Sequence, residues 1–355
     1  MKRSRAEPGA WLIGGAGLVA SMAGWWAAPE DFPHAWLASV TCLLGWPLGS
    51  LALVFIHALT GGRWGLAIRP QLASGIATLP LAVAALLPLP IVAHALYPWM
   101  RSDVAAHLHN RFYLNEPFFA FRCAVYLIVW MGLAIPVLRV LRRPDPQPWL
   151  YRWAPPGLIL LALTVTFAAV DFTLSMEPQF KSSIYGMLVS TESVLLALSV
   201  AVFGMTCARR VPLALATHEL GRLLFALLVL WAYLDFMQWL IIWSSNLPDE
   251  AGWYGERLMG DWSRVAGAIA VLHFGLPFFA LIWSPVQRSL RALRWLSGVL
   301  ILAEIPRAWW TVIPASGHGL DWLDVATMAA VLGGGAGVAL HVFRRLPAAG
   351  EGSHA

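Results

Sequence analysis

Ten runs of mostly apolar residues, each about long enough to cross a bilayer, make up most of this chain. They lie at about 10–27, 35–60, 72–97, 118–140, 156–176, 183–207, 220–245, 264–284, 293–313 and 322–343. About 20 residues of α-helix cross the hydrocarbon core, where only helices and closed barrels satisfy their own backbone hydrogen bonds. The pattern predicts an all-α integral membrane protein with ten transmembrane helices, and Pro80, Pro88 and Pro90 predict a kink or a break in the third.

The composition agrees with a membrane location and argues against a nucleic-acid partner. Hydrophobic residues make up 59% of the 355 residues and charged residues only 12%, whereas soluble domains carry about 25% charged residues. The net charge of +5 comes from Arg residues scattered over short loops, and no basic run resembles a nucleic-acid-binding helix. We also predict no metal site, because no CxxC spacing occurs among the three cysteines, Cys42, Cys123 and Cys207.

The placement of basic residues predicts the orientation of the chain. Most of the 24 Lys and Arg residues flank the apolar runs at the ends that share a side with the N-terminus. Cytoplasmic loops carry such an excess, so both termini are predicted to be cytoplasmic, with residues 346–355 as a cytoplasmic tail. The outward loops, which include EPQFK (177–181) and NLPDEAGWYGERLMGDW (246–262), are too short to form an enzyme domain.

Ionisable residues inside runs six to nine share one depth in the membrane. Asp235 lies in the middle of the apolar run 223–243. Glu192, His273 and Glu304 each lie about nine residues from the outer end of their own run, about 13–15 Å deep at 1.5 Å per residue. A charge at the bilayer centre costs about 2.5–3.5 kcal/mol. We therefore expect these four side chains to converge inside a four-helix bundle.

Three further side chains extend this predicted polar layer. Gln238 lies one turn after Asp235, and Arg307 follows Glu304 by three residues on the same helix face, as its expected counter-ion. Asp171, near the outer end of run five, is expected to extend the layer outward. Asp, Glu and His chains across a bundle are typical of proton relays. The alternative is that they only join helices through hydrogen bonds.

Two long segments resemble a known family of membrane subunits. They are VTFAAVDFTLSMEPQFKSSIYG (165–186) and HELGRLLFALLVLWAYLDFMQWLIIWSSNLPDE (218–250). Two shorter matches follow: LHFGLPFF (272–279) and the W-x-x-x-P pattern from Trp310 to Pro314 that ends the ninth run. This pattern resembles the NrfD-like superfamily, the membrane anchors related to polysulfide reductase. Within it, the pattern is most like the second large membrane subunit of bacterial alternative complex III, a quinol:cytochrome c oxidoreductase. The resemblance covers about 165–314, close to half of the chain.

The resemblance implies an architecture and a set of partners. It implies one membrane domain, 1–345, in the bacterial inner membrane, with four-helix bundles at about 35–176 and 183–313 and peripheral helices at about 10–27 and 322–343. The implied partners are a sister NrfD-like subunit, iron–sulfur and c-type cytochrome subunits and membrane lipid, with a terminal oxidase as a further candidate. By position, the residues that match the family pattern are Asp171, Glu177, His218, Gln238 and His273.

The chain also departs from the family in its polar layer. Glu304 and Arg307 stand where the family usually has a His and an Asp, and Glu192 and Asp235 occupy positions expected to be uncharged. The residue types of the polar layer therefore differ from those of the family pattern.

Three functional hypotheses follow. The first is a non-catalytic, proton-conducting or scaffolding subunit of a respiratory quinol:electron-acceptor oxidoreductase, which binds no cofactor itself and has a quinol at or near it. The second is a quinone-binding subunit in its own right. The candidate quinone-binding residues are Arg122, Tyr126 and Trp130. The third is a stand-alone proton- or ion-coupled transporter, although the chain lacks the unwound helix pairs typical of one. The proton-path candidates are Asp171, Glu177, Glu192, His218, Asp235, Gln238, His273, Glu304 and Arg307.

Overall fold

The structure is a computed structural model that describes residues 6–101, 110–143, 145–207, 214–245 and 247–345, and all of its regular elements there are helical. In this part of the chain, ten helices are long and apolar enough to cross a membrane, which confirms the predicted class and number. They span Ala6–Ala27, Phe32–Thr60, Arg63–Leu86, Glu116–Val140, Gln147–Met176, Tyr185–Cys207, Ala216–Ser245, Gly260–Leu281, Leu290–Ser316 and Trp322–Arg345. The predicted tail, 346–355, lies outside the described residues.

Several of these spans are composed of more than one helix. The α-helices, in chain order, are α1 (Ala6–Ala27), α2 (Phe32–Thr60), α3 (Arg63–Ile76), α4 (Leu79–Leu86), α5 (Leu89–Leu96), α6 (Glu116–Val140), α7 (Gln147–Phe172), α8 (Tyr185–Cys207), α9 (Ala214–Ser245), α10 (Pro248–Leu258), α11 (Gly260–Ile269), α12 (Leu276–Leu281), α13 (Ser284–Gln287), α14 (Leu290–Val312) and α15 (Trp322–Arg345). A π-helical turn, Ala270–Gly275, joins α11 to α12, and 3₁₀ turns follow α5, α7 and α14.

Prolines divide the third apolar run, as predicted. Pro80 and Pro90 lie in the first turns of α4 and α5, and Pro88 directly precedes α5. Proline has no N–H to donate and its ring clashes with the preceding turn, so it is favoured where a helix begins and breaks one that is already running. The predicted third run is therefore divided among α3, α4 and α5, of which α3 and α4 together form the candidate span Arg63–Leu86.

The centre of the molecule is the contact between α2 and α8. A Cβ added to Gly49 of α2 would lie 1.9 Å from the carbonyl oxygen of Ser193 in α8, so only glycine permits this approach. A similar contact holds α1 against α15, where a Cβ on Gly17 would lie 2.4 Å from the backbone nitrogen of Ala330. Membrane helices associate through such small residues because lipid supplies no hydrophobic driving force between them. α14 also packs on both α2 and α8, which brings its polar residues to the centre.

Candidate functional site

The guanidinium of Arg307 joins carboxylates from two other helices inside the membrane-spanning region. Its Nη2 donates a hydrogen bond to Oδ1 of Asp235 on α9 at 2.8 Å. Its Nε lies 3.6 Å from Oε2 of Glu192 on α8. The guanidinium carbon also lies 5.6 and 5.2 Å from the ring centres of Trp231 and Trp310. The protein tolerates Asp235 in the middle of an apolar run because a buried cation on α14 neutralises it.

Glu304 lies one turn before Arg307 but faces other groups. Its Oε2 is 3.7 Å from Nε2 of His273, too far for a hydrogen bond. The Glu304 and Glu192 side chains line the same cavity and interact with each other. The expectation that Arg307 is the counter-ion of Glu304 is therefore wrong. The guanidinium instead reaches across to Asp235 on α9 and Glu192 on α8, at 2.8 and 3.6 Å.

The position of His273 follows from the proline four residues after it. Pro277 has no N–H, so the carbonyl of His273 loses its usual intrahelical partner, and the chain forms the π-helical turn Ala270–Gly275 at this point. The imidazole is almost fully buried, and its ring centre lies 4.2 Å from that of Trp231. The wider turn thus places His273 against α9 and beside Glu304.

The structure brings four of the predicted residues together around Arg307. Gln238, which was predicted to belong to the same polar layer, has a different partner. Oε1 of Gln238 accepts a hydrogen bond from Ser182 at 2.8 Å, which ties α9 to the segment that precedes α8. Gln238 lies one turn after Asp235 on α9, but its amide oxygen accepts from Ser182, whereas the Asp235 carboxylate accepts from Arg307. Glu192, Asp235, His273 and Glu304 do converge near Arg307, as their common depth predicted. We call these five residues the Arg307 cluster.

A small cavity of about 90 Å³ adjoins the Arg307 cluster. Its wall includes Glu192, Glu304 and Arg307 and also Thr173 and Tyr185. The hydroxyls of Thr173 and Tyr185 share a hydrogen bond of 2.7 Å. A cavity of this volume with several polar groups in its wall has room for several water molecules.

Asp171 belongs to a separate group of residues on α6 and α7. It is fully buried, and Arg122 donates to its two carboxylate oxygens at 2.8 and 2.7 Å. The Tyr126 hydroxyl donates a third hydrogen bond at 2.5 Å, and Trp130 donates to Thr164 at 3.0 Å. Outside the spans, burial and the nearby Asp171 carboxylate raise the pKa of Tyr113 to about 12. Of the residues suggested for quinone binding, Arg122 and Tyr126 thus hold Asp171 in place, whereas Trp130 binds Thr164. The hydrogen-bond partners of the Asp171 carboxylate lie outside the Arg307 cluster.

We predict that Asp171→Asn lowers the free energy of unfolding by about 3–5 kcal/mol, because it leaves the buried Arg122 guanidinium without its anion. The unfolding free energy can be measured by SDS titration in mixed micelles. Asp261→Asn is the matched control, because Asp261 forms an exposed ion pair with Arg264 and should have little effect. An unfolding curve for Asp171→Asn that coincides with that of the control would contradict the prediction.

Arg257 on α10 is a buried polar residue that the sequence did not single out. It is fully buried, and its Nη2 donates to Oε1 of Glu177 at 2.6 Å and to the carbonyl oxygen of Thr311 at 3.0 Å. Burial lowers the pKa of Arg257 and raises that of Glu177, and the attraction between the two charges opposes both shifts. One feature of the sequence could have indicated that Arg257 is buried: Trp253 lies four residues earlier, on the same helix face. The centre of its ring is 3.8 Å from the guanidinium carbon.

The remaining predicted residue, His218, lies far from the Arg307 cluster. It precedes Asp235 by 17 residues on α9, which is about 25 Å along a helix. Its neighbour Glu219 accepts hydrogen bonds from the backbone N–H groups of Arg63 and Trp64 at 3.0 and 2.9 Å, at the start of α3. A carboxylate at a helix N-terminus stabilises the helix. This end of α9 therefore anchors α3, and His218 does not join the other proton-path candidates.

Comparison with protein-family models finds no match to this chain, and comparison with curated proteins finds none either. Among the described residues, no three His, Cys, Asp or Glu side chains are grouped so that they could hold a metal ion. The family resemblance therefore stays a prediction.

Proposed function

We propose that this chain is a proton-conducting membrane subunit of a respiratory quinol:electron-acceptor oxidoreductase of the alternative complex III type, in the bacterial inner membrane. The observation that carries the proton role is the Arg307 cluster, which gathers three carboxyls, one imidazole and one guanidinium from four membrane-spanning segments. The respiratory role and the partners come from the family resemblance. They are a sister NrfD-like subunit, an iron–sulfur subunit, c-type cytochromes and, as a further candidate, a terminal oxidase.

The composition of the cluster favours proton transfer over a purely structural role. One ion pair, Asp235 with Arg307, would be enough to join α9 to α14. Glu304 adds a carboxyl whose neighbours are Glu192 and His273, two groups that also take up and release protons. Ionisable groups inside a bilayer are costly, and their usual roles are proton relays and ion pathways. Glu304 and Glu192 together can hold a proton and pass it on.

The small cavity supplies a continuation of this path. From Glu192 and Glu304 it extends to the hydrogen-bonded hydroxyls of Thr173 and Tyr185. Thr173 directly follows α7, at the end of that helix that the predicted orientation places outward. Hydroxyl groups and water in such a cavity can relay protons from the cluster toward this end of the bundle.

The first test of this function is the isolation of the tagged chain from its own membranes in mild detergent. We expect an iron–sulfur subunit, a second NrfD-like subunit and c-type haem to accompany it, identified by mass spectrometry and an optical spectrum. A membrane protein of unrelated sequence with the same tag is the control for non-specific capture. A colourless chain recovered alone would contradict the respiratory assignment.

A further inference from the structure

A second and larger cavity, of about 550 Å³, lies on another side of the Asp235–Arg307 ion pair. Residues of α9, α10, α11, the π-helical turn, α12 and α14 form its wall. Asp235 and Arg307 are its charged members, and most of the remaining wall is aromatic or aliphatic. Its aromatic side chains include Trp231, Phe236, Trp239, Tyr254, Phe274 and Phe278. Ligand sites commonly have this volume and this combination of apolar walls with a few polar groups.

The carboxylate of Asp235 is partly exposed in this wall. A third of its side-chain surface, 33%, is accessible, whereas that of its partner Arg307 is 5% accessible. Asp235 precedes the end of α9 at Ser245 by ten residues, which is about 15 Å of helix. At that depth an accessible carboxylate oxygen that meets only hydrocarbon is costly. A favourable occupant of the cavity therefore presents a polar group to Asp235.

The surroundings of the cavity restrict what that occupant can be. Tyr233 and Phe236, both in its wall, are 55% and 53% exposed on a helix that spans the membrane, so the cavity is reached from the hydrocarbon layer. Phospholipid head groups remain near the interface, about 15 Å away. A ligand at this depth must be uncharged enough to enter hydrocarbon, flat enough to lie among aromatic rings and able to form a hydrogen bond.

We propose that this cavity binds the ring of a quinone or quinol with an apolar tail. One ring oxygen lies at the Asp235–Arg307 pair, where the guanidinium can donate to a carbonyl and the carboxylate can accept from a hydroxyl. The ring packs between aromatic side chains such as Trp239 and Phe274, and the tail leaves toward the bilayer past Phe236. This inference rests on the proposed function, to which it adds a ligand site that directly adjoins the Arg307 cluster. It also differs from the sequence-based site, because Arg122 and Tyr126 are occupied by Asp171.

Direct binding to the purified chain in lipid nanodiscs tests this proposal without turnover. The probe is decylubiquinone, with empty nanodiscs to correct for partition into lipid. Decylbenzene, which has a ring and a tail but no carbonyl, separates a quinone site from a groove for any lipid tail. We expect saturable binding of decylubiquinone alone. Equal binding of decylbenzene would overturn the proposal in favour of a lipid groove.

Two variants on the same helix locate the site. Ala266→Phe adds a ring inside the cavity wall, and Ala268→Phe adds the same ring at an exposed position that is not part of the wall. We expect Ala266→Phe to weaken decylubiquinone binding by about tenfold or more, because the new ring takes the space of the ligand ring, and Ala268→Phe to leave it unchanged. Equal affinities of the two variants, with both thermally as stable as the native chain, would overturn the proposal.

The outcomes separate this proposal from the proposed function. Binding is measured on the isolated chain, whereas the respiratory role is tested by the proteins that accompany it from the membrane. A chain that co-purifies with its predicted partners but binds no decylubiquinone would overturn only the ligand site. A chain recovered alone that still binds decylubiquinone would overturn only the respiratory assignment.

Discussion

Arg307→Met should destabilise the protein by about 3–5 kcal/mol, a larger effect than that of any other substitution in the Arg307 cluster. Arg307 is 4% exposed, and its guanidinium lies 2.8 Å from Asp235 and 3.6 Å from Glu192, so its loss leaves two carboxylates in the membrane interior without a cation. SDS titration of the purified chain measures the change. Because Met has a similar length and no charge, the loss reflects the missing ion pairs more than a change in packing.

Two further variants make this expectation specific. Arg264→Met removes an exposed Arg that pairs with Asp261, and it should leave the unfolding curve almost unchanged. Arg307→Met combined with Asp235→Asn should recover part of the stability, because a neutral amide needs no counter-ion. If Arg307→Met alone unfolds like the native chain, the ion pairs do not hold these helices together.

Glu304→Gln should lower the number of protons moved per electron while the protein stays folded and assembled. Gln has nearly the same volume and can still hydrogen-bond Glu192, but it can neither take up nor release a proton. Removal of a positioned proton carrier typically slows transfer by about 10²–10⁴-fold. The measurement uses the purified complex in liposomes with a pH-sensitive dye, during quinol oxidation.

Glu116→Gln is the matched control for this experiment. Glu116 lies at the start of α6, where its side chain is 52% exposed and pairs with His94, far along the chain from the Arg307 cluster. The same chemical change there should leave the proton count unchanged. A Glu304→Gln complex with the native ratio of protons to electrons would leave the cluster with a scaffolding role only.

The two groups of buried charges differ in how completely their charges are paired. The Asp171 carboxylate accepts three hydrogen bonds from Arg122 and Tyr126, so little capacity remains for a ligand or a proton. In the Arg307 cluster, Asp235 is partly exposed and lines a cavity, and Glu304 lies 3.7 Å from His273 without a hydrogen bond to it. The first arrangement is typical of a structural ion pair, and the second is typical of a site where protons or ligands move.

Depth in the membrane could be predicted from the sequence, because the length of an apolar run and the rise of a helix convert residue number into distance. This is why Glu192, Asp235, His273 and Glu304 were predicted to meet and do so. The break at the prolines of the third run was predictable for a similar reason, since proline acts through its own backbone geometry.

The pairing of those residues depends on the rotation of each helix about its axis and on how closely the helices approach, and neither follows from depth. The sequence placed Arg307 beside Glu304 by spacing along one helix, whereas the packing of α8 and α9 on α14 gave the guanidinium Asp235 and Glu192. The same holds for Arg257, whose partner Glu177 lies 80 residues earlier in the chain. It also holds for the aromatic cavity, whose wall is formed by six separate segments. The sequence by itself determined that ten helices are long and apolar enough to cross a membrane and where along each helix its charges lie, because both are local properties of single helices. Only the tertiary structure decided which charges meet and where a ligand can enter, because both arise between helices.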